Sequence, residues 1–135
     1  MNTVSEFFGD TIHTYTRAQA IAEGVLVDVT DTAREAGFRV PVALTRAVWE
    51  DCVAWSDEDS ERQVYQDQSG RLWDVLWMAC MAARCYPSRD RLIYRLYRVP
   101  RDGSSTAAVE TPLKLVVGPG DEGEPVVTIM LPEED

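Results

Sequence analysis

The sequence predicts an α+β fold in which N-terminal helices pack on a C-terminal three-stranded antiparallel sheet. Helix-start signals and apolar residues at spacings of three and four fill the chain before residue 88. Three β-rich runs separated by proline- and glycine-bearing turns fill the rest. With 135 residues, 45% of them apolar and four tryptophans, the chain is long and hydrophobic enough to bury one core without cross-links. A single acidic domain over residues 1–135 is therefore expected.

Thr16-Arg17-Ala18-Gln19 fits a capping box, in which the threonine hydroxyl takes an orphan helix amide and the glutamine reaches back. The short helix it opens ends at Gly24. Val25 to Val29 reads as a brief extended segment. Thr30-Asp31 can cap the next helical turn, which runs to Ala36 and stops at Gly37. Pro41 suits a first helical position, and Val42, Val48, Trp49, Cys52, Val53 and Trp55 follow at helical spacing, predicting an amphipathic helix to about Trp55. Asp57 to Glu61 then reads as a solvated acidic loop, extended by the polar stretch from Gln63 to Ser69.

Leu72 to Ala83 is the most apolar segment, with Leu72, Leu76, Cys80 and Trp73, Trp77, Met81 forming two adjacent rows. Apolar on most of its circumference, it is expected to be the buried central helix. At this length it is too short to cross a bilayer, which takes about 20 residues. Tyr86-Pro87-Ser88 ends it. The strands are predicted at Leu92 to Val99, Leu113 to Val117 and Val126 to Leu131, with turns at 100–103 and 118–123. In the first, alternation sends Arg95 outward, while Arg98 falls on the same face as Tyr94 and Leu96. Pro132 to Asp135 reads as a frayed tail.

The net charge of −10 is uneven: residues 84–101 carry six arginines against Asp90 alone, and the flanking segments are acidic. Such a field disfavours duplex DNA and favours a basic partner. No signal peptide or membrane span is indicated, so a reducing cytoplasm is the expected compartment for Cys52, Cys80 and Cys85. With one histidine and no Cys-x-x-Cys pair, neither zinc nor any other cofactor is expected.

His13, beside Tyr15 and Arg17, has no identifiable nucleophile to serve. The glycine-rich stretch at 118–123 leads into a strand and carries acids, so it reads as a hairpin turn rather than a phosphate cradle. Two constellations remain. Asp57, Glu58, Asp59, Glu61 and Asp67 can imitate a run of phosphates for a Lys/Arg-rich partner, the simpler reading being a solvated loop. Arg89, Arg91, Tyr94, Arg95, Tyr97 and Arg98 combine guanidinium groups with stacking rings suited to RNA, the simpler reading being that they pair with the protein's own acids.

Residues 15–21 (YTRAQAI), 24–29 (GVLVDV), 32–39 (TAREAGFR), 118–121 (GPGD) and 128–132 (TIMLP) together resemble an uncharacterised family of small proteins carried by phages, plasmids and integrative elements of bacteria. The resemblance implies context rather than site residues. It suggests a non-enzymatic anti-defence inhibitor, similar in role to anti-CRISPR or anti-restriction proteins, that occupies a basic nucleic-acid-binding surface of a host complex such as a CRISPR effector. The alternatives are a small RNA-directed enzyme or RNA-binding factor using the 84–101 band, and a regulatory or assembly module of the element.

Overall fold

The capping box at Thr16 forms as the sequence requires. In the computed structural model, which describes residues 15–135, Thr16 Oγ1 accepts from the Gln19 amide at 3.0 Å and Gln19 Oε1 accepts from the Thr16 amide at 2.8 Å. Helix α1 (Arg17–Ala22) follows. Strand β1 (Leu26–Asp28) and helix α2 (Thr30–Ala36) succeed it. Val29 is the N-cap of α2 and makes no side-chain cap, so the Thr30-Asp31 pair does not cap the helix; the Asp28 carboxylate accepts from the Thr30 amide at 3.2 Å and the Thr30 hydroxyl at 2.6 Å. Gly37 ends α2 at φ 124, a value that side-chain-bearing residues avoid. A Cβ there would stand 2.8 Å from Arg84 Nη2 and 3.0 Å from Cys80 Sγ. Gly37→Ala is accordingly expected to lower stability by about 1–3 kcal/mol, read by chemical denaturation.

The chain from Pro41 does not form the expected helix. Val42–Thr45 is strand β2, Arg46–Val48 is a single turn of helix α3 capped by the Thr45 hydroxyl, and Trp49–Val53 continues it as a π-helical turn. Val42, Ala43 and Leu44 are wholly buried because β2 has a strand on each side, and such a strand shows a continuous apolar run rather than an alternation. The acidic stretch is helix α4 (Asp57–Arg62), not a loop: Ser56 and Asp59 form a capping box of their own.

Helix α5 (Gln68–Cys85) starts at the Asp67 cap and extends beyond the predicted segment at both ends. Strands β3 (Arg91–Arg98), β4 (Val109–Pro119) and β5 (Pro125–Met130) overlap the three predicted strands, with β3 and β5 each ending one residue before the predicted end and β4 longer at both ends. They belong to a five-stranded mixed sheet of order β1-β2-β5-β4-β3, in which only the β2–β5 pair is parallel. The three-stranded antiparallel sheet is thus enlarged by two N-terminal strands, so sheet and helices interleave along the chain.

Helix α2, the π-helical turn and α5 pack on one face of this sheet, around Leu44, Leu76, Leu113, Leu115 and Ile129. Each of these fully buried side chains contributes about 1.5–3 kcal/mol relative to exposure. On the opposite face the register aligns Asp28, Ala43, Thr128, Val116 and Arg91 in one row and Met130, Lys114 and Ile93 in the next. The C-terminal tail is held on this side rather than frayed: Glu134 accepts from the Thr45 hydroxyl at 2.7 Å and the Leu131 amide at 2.8 Å, and its carbonyl accepts from Lys114 Nζ. Among the described residues no helix is long and apolar enough to cross a membrane.

Candidate functional site

Helix α5 buries one stripe, not most of its circumference. Arg71, Val75, Leu76, Ala79 and Cys80 face the core, whereas Trp73 and Trp77 are 36% and 41% exposed and Met78 is 40% exposed. The tryptophan row was legible, but its direction was not: i, i+4 spacing is the same for a row that packs and a row that faces solvent. The two indoles stack with ring centres 5.7 Å apart and planes 21° apart. Tyr65, Asp67, Trp73 and Asp74 line one shallow groove beside the helix start, so the aromatic pair continues into an acidic rim. Partial burial raises the Asp74 carboxyl above its ordinary value, opposed by the charge of Arg71.

The predicted acidic residues do different jobs. Asp57, Glu58, Glu61 and Asp67 are exposed. Asp59 is 1% exposed and is consumed inside the molecule. Its Oδ2 accepts from the Ser56 amide at 2.8 Å, the Ser56 hydroxyl at 2.9 Å and Arg101 Nε at 2.7 Å, while Oδ1 accepts from Arg62 Nη2. Burial opposes its charge, but the Ser56 donors and the two guanidinium groups outweigh it and hold the carboxyl far below the usual range. Asp67 gives one oxygen to the Gly70 amide as the α5 cap.

The arginine and tyrosine set is also divided. Arg91, Arg95 and Tyr97 lie outward on the sheet face opposite α5 with Ile93, and Arg89 sits over the Tyr86 ring at 5.7 Å. Tyr94 faces the core, where its hydroxyl donates to the Val75 carbonyl at 3.0 Å. Arg98 lies on that inner face too, with both Asp51 carboxylate oxygens 3.1 Å from Nη2. Tyr94 and Arg98 are therefore structural and withdraw from any nucleic-acid surface. His13 lies outside the described residues.

A family model matches residues 1–135, the whole chain. The chain belongs to a family of unknown function, DUF6573. No curated protein and no solved structure matches it. In this DUF6573 member, segments that carry the family resemblance meet around α1. Arg17 donates to the Thr128 hydroxyl at 2.7 Å and the Val127 carbonyl at 2.8 Å, and the Asp121 carboxylate receives the Arg17 and Ala18 amides at 2.8 and 3.0 Å. Those two amides hold the Asp121 carboxyl below its ordinary value. The turn at 118–123 thus serves α1 as well as the β4–β5 hairpin, and these residues are scaffold.

Burial pushes the Cys52 thiol up to about 12, aided by the Asp51 charge, so Cys52 is a core residue and not a nucleophile at neutral pH. Among the described residues no three His, Cys, Asp or Glu side chains converge where a metal ion could be held. Sequence reasoning did not single out Trp73 and Trp77 as surface residues. The available signal was Asp74 between them, whose charge marks the flank of that row as solvent-facing.

Proposed function

We propose that this DUF6573 protein is a non-enzymatic inhibitor that docks through α4 and α5 onto a basic, nucleic-acid-binding surface of a host defence complex. The stacked, partly exposed Trp73–Trp77 pair carries the reading. Large aromatic groups held rigidly at a surface, next to charges of one sign, are the composition of binding hot spots and are uncommon on surfaces that meet only water. From Asp57 to Asp74 the chain holds six acids against Arg62 and Arg71, and Arg71 is buried. The rim accordingly attracts Lys/Arg-rich surfaces, while the indoles supply the desolvated contact. Origin on a phage, plasmid or integrative element, and action in the host bacterial cytoplasm, are part of this proposal and rest on the sequence resemblance.

The test is titration of the purified protein against reconstituted host nucleases, RNA-guided effectors and restriction complexes. Inhibition saturating at one equivalent and weakening with salt is the expected result. Trp73→Ala with Trp77→Ala should weaken binding at least a hundredfold; both residues are more than half buried, so the variant also loses about 1–3 kcal/mol of stability per side chain, and binding is compared below its unfolding midpoint. Neutralising Asp57, Glu58 and Glu61 together should lower the association rate. Turnover of a substrate by the protein, or inhibition indifferent to the double tryptophan variant, overturns the proposal.

A further inference from the structure

Strand β3 ends the sheet, and the other edge, β1, is only three residues long. The Val117 amide donates to the Asp90 carbonyl at 2.8 Å, and Asp90 is the residue before Arg91, which pairs with Val116. Antiparallel pairs alternate between hydrogen-bonded and non-bonded positions. Leu92, Tyr94, Leu96 and Arg98 therefore turn their backbone groups toward β4, and Arg91, Ile93, Arg95 and Tyr97 turn theirs to the open edge. Pro112 agrees with this phase: it has no N–H, and it stands opposite Arg95, where none is required.

The same four residues present their side chains on the sheet face opposite α5. All are exposed, Ile93 by 50% and Tyr97 by 66%. Among the described residues neither Arg91 nor Arg95 has a carboxylate within ion-pair distance, although the protein carries 23 acids. One edge thus combines unused backbone donors and acceptors with a cation, apolar, cation, aromatic sequence of side chains.

We propose that β3 is a second binding site, which adds an extended acidic segment of another protein as a sixth strand. Strand addition supplies affinity through the main chain and specificity through alternate side chains. In the antiparallel arrangement the guest places an aromatic or apolar residue opposite Tyr97, an acid opposite Arg95, an apolar residue opposite Ile93 and an acid opposite Arg91. Directly opposed pairs on one face are the pairs that interact. This site is separate from the α4–α5 face and opposite to it in charge.

The probe is a fluorescent peptide with valine and glutamate alternating at every second position and threonine between them, followed by anisotropy with the full-length protein. Saturable binding is expected, with lysine in place of glutamate reducing it at least tenfold and Arg91→Glu with Arg95→Glu reversing that preference. Ile93→Pro is the decisive variant, because it removes one N–H from the open edge and none from the β4 ladder. It should abolish peptide binding with the thermal midpoint and circular dichroism retained. If Ile93→Pro unfolds the protein, an N-methylated guest strand does the same work, since it cannot donate to the edge. Peptide binding that survives both blocks overturns strand addition. Preferential binding of single-stranded RNA, unaffected by Ile93→Pro, overturns it in favour of nucleic acid, and concentration-dependent self-association lost on Ile93→Pro overturns it in favour of a second copy of this chain.

Discussion

Arg71→Met is expected to lower the unfolding free energy by about 3–5 kcal/mol, a large fraction of the total for a domain of this size. Arg71 is 4% exposed, and its first turn of α5 holds it against three segments of the chain. It donates to the Val53 carbonyl at 3.1 Å, to the Val99 carbonyl at 2.9 Å and to Gln66 Oε1 at 2.8 Å, with its guanidinium carbon 4.5 Å from the centre of the Trp55 ring. Burial lowers its pKa from the ordinary value, but arginine begins so high that it stays charged. Methionine fills similar volume and leaves the two backbone carbonyls without donors in the interior. An unpaired buried acceptor costs about 1–3 kcal/mol. Arg71→Lys retains the charge without the planar fork and should recover only part of the loss. Denaturation midpoints of the three proteins decide the matter, and an Arg71→Met protein within about 1 kcal/mol of the parent shows that those carbonyls find other donors.

Arg71 also marks the boundary between what the sequence disclosed and what it did not. It stands one residue before the apolar run that was read as the central helix, and only in the structure does it fall four residues ahead of Val75 on the buried stripe of α5. Its charge argued for water, and only the fold brings the Val53 and Val99 carbonyls to it. Local signals read well for the same reason that they are local. The Thr16 box, the stop at Gly37 and the turn between β4 and β5 each depend on a few adjacent residues, and each formed, whereas the tight turn expected at 100–103 is part of a longer loop from Val99 to Ala108. Strand β2 failed because its evidence is remote: Val42 pairs with Val127 and Leu44 with Ile129, neighbours that no window of sequence contains. The helical spacing from Val42 to Trp55 joined residues of a strand, a helical turn and a π-helical turn, so its period belonged to no single element. Helix α4 had a usable signal, Ser56 with an acid at Asp59, which the surrounding run of charge concealed.

Asp59→Asn should destabilise the protein more than Asp57→Asn and Glu58→Gln combined, with the loss largest near neutral pH and shrinking as the solution is acidified. The folded pKa of Asp59 is lowered, so the native state binds its proton less readily than the unfolded chain. Its contribution is therefore fully present above the unfolded value of about 4 and is lost as pH falls from there toward the lower folded value. Asp102, held at about 2 chiefly by the Ser104 and Ser105 amides, titrates over a similar range in both proteins and leaves their difference unchanged. Guanidinium denaturation of parent and variant across this range reads the effect. A gap that does not change with pH shows that Asp59 acts by shape and neutral hydrogen bonds, not as an anion shared by Arg62 and Arg101. The same experiment bears on docking. An Asp59 spent on two internal arginines has no charge to offer a partner, so neutralising Asp57, Glu58 and Glu61 should weaken binding at unchanged stability. Asp59→Asn should instead weaken it only in proportion to the α4 it unravels, a loss that cooling restores and added salt does not.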